Sequence, residues 1–216
     1  MEWKCCIFRQ SDRGKFGILK MKKRSVLCLL LLSAMIIACN NTEDYTPKPR
    51  GYFNIEFPKK QYRVYTGGCP FTFNYPVYAT MASDQEQDAG DCWNNLSYSR
   101  FNARLHLTYY PISSVKEYQG LIEDARTLAF KHTVKASAID QKLINYPDKK
   151  VYGIYYAIEG NTASSVQFFL TDSAKHYFRG ALYFNERPQY DSIAPVIKFI
   201  KQDVDVMISS FRWKNK

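Results

Sequence analysis

The residues with the widest chemical reach in this 216-residue chain are six cysteines and three histidines. The histidines, His106, His132 and His176, form no HxxxH or HxH pair, so the spacing that grips a catalytic zinc is missing. A GxSxG elbow and a glycine-rich phosphate cradle are also missing, which removes common nucleophile and nucleotide sites. Asp203-Val204-Asp205 brings two carboxylates close, but within a helical stretch, where such charges face water more often than they hold a cation. Glu123 and Arg126 are spaced as a surface ion pair worth ~0.3 kcal/mol. The sequence therefore predicts no catalytic residues, no cofactor and no metal.

The cysteines carry more information. Cys39 closes an apolar run of 13 residues, 26–38, that follows the positive start Met21-Lys22-Lys23-Arg24. A helix crossing a bilayer core needs about 20 residues, so the run reads as a secretory signal over residues 1–38. Ile36-Ile37-Ala38-Cys39 resembles the bacterial lipobox, whose cysteine receives diacylglycerol and becomes the new N-terminus; Ile37 is bulkier than usual there. The competing reading is an uncleaved N-terminal anchor, and the short core and the Ala-Cys junction both argue against it. Residues 1–20 fit neither reading, so translation is expected to begin at Met21. Each acyl chain contributes about 0.8 kcal/mol per buried methylene, and two or more make a lasting anchor.

Cys69 and Cys92 are the other two cysteines beyond the signal. An even pair in an oxidising compartment reads as a disulfide, contributing roughly 3 kcal/mol by chain entropy. Two buried thiols are the alternative. A metal site is disfavoured because no histidine lies at ligand spacing from either cysteine.

Cleavage before Cys39 leaves 178 residues, enough for one domain with a real core. The remaining charge is 22 Lys and Arg against 18 Asp and Glu, a balance of +4 in place of +10. The basic excess belongs mostly to the leader, so nucleic acid is not an expected partner. Residues 39–50 are polar and proline-punctuated, an extended lipidated tether, and residues 51–216 form a single globular domain. Asn40 is not the aspartate that retains enterobacterial lipoproteins at the inner membrane. That favours the outer membrane, with the periplasmic face preferred over the cell surface, although Glu43 and Asp44 resemble acidic surface-export signals.

The elements that must position these residues follow from periodicity. Residues 71–75 alternate as a strand stopped by Pro76, residues 84–91 form an acidic loop, and residues 103–110 alternate as a half-buried strand. Ser114 and Glu117 have capping-box spacing, so a helix should follow with Val115, Tyr118, Ile122, Ala125 and Ala129 on one face. Strands over 151–158, 166–171 and 177–184 are joined by short polar links that favour antiparallel hairpins. A terminal helix carries a stripe from Ile193 to Phe211, with Pro195 in its first turn. The order predicts an α+β fold, a mainly antiparallel sheet with two principal helices, similar to the Mog1/PsbP-like α/β/α sandwich.

Two surface features remain. Asn161, Thr162, Ser164, Ser165 and Gln167 form a small polar segment at a strand entrance, either an interaction loop or a hairpin turn whose hydroxyls serve local backbone. Ser173 and Ser192 lie in Asp-Ser-apolar triplets resembling O-glycan acceptors of Bacteroidota; the same triplets also read as a turn and a helix N-cap.

One set of motifs carries a wider resemblance: Cys69-Pro70-Phe71-Thr72-Phe73, Cys92-Trp93, Glu123-Asp124-Ala125-Arg126, residues 131–136, residues 160–173, Arg179-Gly180-Ala181-Leu182-Tyr183-Phe184, Asp191-Ser192-Ile193 and Trp213-Lys214. With the lipobox, their order and spacing resemble the gliding-motility lipoprotein family GldD of Bacteroidota over nearly the whole mature chain. The resemblance implies a non-enzymatic envelope component required for gliding, acting with other gliding lipoproteins and the type IX secretion machinery. It brings no catalytic residues to carry over, and family members also occur in bacteria that do not glide. A module binding a small ligand or glycan through the 161–167 segment is the competing function, and an enzyme a distant third.

Overall fold

A computed structural model describes residues 55–185 and 189–214, which lie within one unit, Gly51–Lys216. The signal segment, Cys39 and the tether expected at 39–50 lie outside the described residues.

Seven strands form the main sheet: β4 (Thr80–Ser83), β5 (Asn94–Tyr98), β6 (Ala103–Pro111), β7 (Ala136–Tyr146), β8 (Val151–Gly160), β9 (Ser164–Thr171) and β10 (His176–Phe184). Their order across the sheet is β4-β5-β6-β10-β9-β8-β7, and every neighbouring pair is antiparallel. Two short pairings accompany it, β1 (Tyr62–Val64) with β3 (Asn74–Pro76), and β2 (Phe71–Thr72) with β11 (Arg212–Trp213). The helices are α1 (Val115–Phe130) and α2 (Tyr190–Ser210).

Alternation along the central strands creates two cores, because successive side chains leave a strand on opposite faces. Val166, Phe168 and Leu170 of β9, with Phe178 and Leu182 of β10, meet Val196, Ile200, Val204 and Met207 of α2. Phe169 and Tyr177 point the other way, with Tyr156 and Ile158, onto Ala125 and Ala129 of α1. Helix, sheet and helix therefore stack in three layers, and the fold is α+β as the element order predicts. Phe71, Phe73, Phe178 and Phe211 pack with centroids 4.8–6.1 Å apart where α2 ends. Fully burying one such ring stabilises the fold by about 1.5–3 kcal/mol.

Several expectations need correction. Residues 71–75 do not form one strand: the chain turns at Phe73, giving β2 to β11 and β3 to β1. Val115 is 72% exposed, because the buried face of α1 begins further along. The capping box of α1 forms as expected: Ser114 accepts from the Glu117 N–H, and the Glu117 carboxylate reaches back to accept from the Ser113 N–H and hydroxyl. Helix α2 starts at Tyr190, so Pro195 lies in its second turn and gives no N–H to the turn before. Asp203, expected to face water, is buried.

Candidate functional site

Asp203 follows Ile200 by three residues and precedes Met207 by four, which puts it on the buried stripe of α2. Its side chain is 0% exposed, and a carboxylate so placed must be met by donors. Lys60 Nζ donates to Oδ1 at 2.6 Å and Tyr62 OH at 3.0 Å; Tyr78 OH lies 2.8 Å from both oxygens. Lys60 also donates to the Phe199 carbonyl at 2.7 Å and sits 3.3 Å above the Phe199 ring. Phe57 stacks on that ring at 4.5 Å, and Phe101 meets it edge-on at 5.5 Å. Tyr98 is 1% exposed beside the group, its hydroxyl buried without a hydrogen-bond partner among the described residues.

Burial, then the hydrogen bond to Asp203, pushes the Tyr62 and Tyr78 hydroxyls up, so both remain neutral donors. Burial lowers Lys60, opposed by Asp203. The carboxylate is committed to the chain's own donors. The arrangement works as a clasp: it closes the segment from Phe57 to Tyr62 onto α2.

The segment 161–167 is largely turned inward. Thr162, Ser164, Ser165 and Gln167 are buried. Thr162 Oγ1 donates to the Ser164 carbonyl, Ser164 Oγ to the Val166 carbonyl, and Arg179 Nη2 to Gln167 Oε1 at 2.8 Å. Gly160 enters this turn at φ +101°, where a Cβ would stand 2.8 Å from the Lys135 carbonyl. Asn161 is exposed, and its Oδ1 accepts from the Tyr190 N–H at 2.8 Å. The hairpin thus caps α2 from a distance, where Gln189, the residue at the N-cap position, offers no side-chain bond.

Ser173 and Ser192 are exposed. Ser192 lies within the first turn of α2, past the cap that its triplet could have formed. Ser173 takes φ 64° in the β9–β10 turn, where Asp172 Oδ1 accepts from the N–H groups of Ala174, Lys175 and His176. Cys69 and Cys92 form a disulfide, their Cα atoms 5.6 Å apart. His106 meets the Tyr183 ring edge-on, and His176 Nδ1 lies 2.7 Å from the Tyr109 hydroxyl. Burial lowers His106 and His132. Among the described residues no three His, Cys, Asp or Glu side chains gather to hold a metal, and no helix is long and apolar enough to cross a membrane.

The family described as gliding motility lipoprotein GldD matches residues 42–213. The chain belongs to this family. The match contains the whole clasp, the disulfide and both helices. As a GldD-family member the chain is an envelope lipoprotein, associated with a membrane and serving gliding motility. A solution structure of cyanobacterial PsbP from Synechocystis is similar over 72% of this chain and 94% of its own, at 12% identity and a TM-score of 0.43. A comparison with curated proteins finds no match.

No motif announces the partners of Asp203. What it did offer was an acid at a stripe position of an otherwise apolar helical face, a placement that demands compensation.

Proposed function

We propose that this GldD-family chain is a non-catalytic accessory component of the gliding apparatus, held by lipid on Cys39. It sits at the periplasmic face of the outer membrane and acts with other gliding lipoproteins and the type IX secretion machinery. The family match over residues 42–213, beginning just after the lipobox, carries the reading. The disulfide agrees with an oxidising compartment beyond the cytoplasm. Asp203 is taken up by the clasp, and the Thr162 and Ser164 hydroxyls by their own hairpin, which favours a surface acting on other proteins over a glycan-binding module.

The test is crosslinking in cells with a tagged, functional chain, followed by mass spectrometry. Recovery of gliding or secretion components is expected; a functional chain that recovers none of them overturns the reading. Cys39→Ser should move the protein from the membrane to the soluble fraction, and retention on the membrane would refute the lipid assignment. We propose Ser173 and Ser192 as O-glycan acceptors, which an intact mass equal to the lipidated polypeptide would disprove.

A further inference from the structure

The main sheet ends at β7, which is hydrogen-bonded to β8 and has no strand on its other side among the described residues. An open edge is a template for another strand, and proteins usually guard it with charge. The guards on β7 follow a symmetry about Gln141. Asp140 and Lys142 flank it, then Ile139 and Leu143, then Ala138 and Ile144. A second β7 laid antiparallel, Gln141 against Gln141, sets Asp140 opposite Lys142 twice, Ile139 opposite Leu143 twice, and Ala138 opposite Ile144 twice.

Opposed residues share a face, so the charge pairs lie on one side of the sheet and the Ile–Leu pairs on the other. Leu143 is 73% exposed, and this pairing gives it an apolar neighbour. Registers centred on Asp140 or Lys142 set like charges against each other, and a shift of one residue sends every side chain to the wrong face. The strand therefore favours one register of itself over its neighbours.

We propose that the β7 edge is a docking strand for a second copy of this chain, paired antiparallel about Gln141 into an isologous dimer that joins the two sheets. The inference concerns self-association and stands independently of the partners proposed above. Seven residues of edge bury less than the ~1,000 Å² of a stable interface, so the contact is weak in dilute solution and grows where copies are confined together.

The test uses the full chain in the cell envelope with single cysteines at exposed positions. Gln141→Cys places two sulfurs across the symmetry axis, whereas Ala138→Cys and Asn145→Cys hold them roughly 20 Å or more apart. After mild oxidation, Gln141→Cys should give at least tenfold more linked dimer than either control. Adding Asp140→Lys should cut that yield severalfold, and adding Lys142→Asp as well should restore it. Equal linking at all three positions, no linking at Gln141→Cys, or a charge swap that fails to restore the yield would each overturn the proposal.

Discussion

Replacing Lys60 by Met tests whether the clasp is an ion pair that matters or a decoration of the aromatic stack. Methionine keeps an unbranched apolar stem over the Phe199 ring and removes the ammonium. Asp203, 0% exposed, would keep only the Tyr62 and Tyr78 hydroxyls. Removing one partner of a buried pair costs about 3–5 kcal/mol. Lys60 is 25% exposed and already partly screened, so we expect about 2–3 kcal/mol. Asp203→Asn should cost less, about 1 kcal/mol, because the amide oxygen still accepts from the tyrosines and the orphaned ammonium reaches water. The double variant should then cost less than Lys60→Met alone, since no unpaired carboxylate remains. Urea denaturation at pH 7, read as a midpoint shift at constant slope, measures all three. If Asp203→Asn proved costlier than Lys60→Met, or the two losses simply added, the reasoning from unequal burial would be wrong.

Asn161→Ala removes the remote cap of α2 and should lower stability by about 1 kcal/mol in the same assay, while changing nothing in the sheet. Asp172→Ala leaves three N–H groups of the β9–β10 turn without their acceptor, a loss of about 1–2 kcal/mol near neutrality. Burial opposes ionisation of Asp172, but those N–H groups outweigh it and hold its carboxyl below the usual range. Its contribution is therefore present above the unfolded value near 4 and lost as pH falls through the lower folded value, so thermal melts of wild type and variant should converge once the pH lies below that folded value. Cys69→Ser with Cys92→Ser should cost roughly 3 kcal/mol, measured against the oxidised parent.

What the sequence disclosed follows from how far each feature depends on near neighbours. Strands β8, β9 and β10 are joined by short polar links and carry dense apolar residues; β9 is buried at all eight positions. Strand β7 went unseen because it lies at the edge. Most of its side chains meet water on both faces, so no alternation marks it. The capping box of α1 is a spacing of three residues and was legible. The cap of α2 is Asn161, 29 positions before Tyr190, and was not. Lys60, Tyr62 and Tyr78 meet Asp203 across 143, 141 and 125 positions, distances that no periodicity encodes.

The clasp also decides where a mechanical load is first felt. A pull arriving from the N-terminal side of residue 55 reaches Lys60 and Tyr62 before any strand of the seven-stranded sheet, because the chain passes through them first. Two side chains gripping a carboxylate, and a three-residue ribbon behind them, stand in series ahead of the main ladder. By this order a load is met by side-chain contacts and a short ribbon before it is met by the long ladders of the sheet.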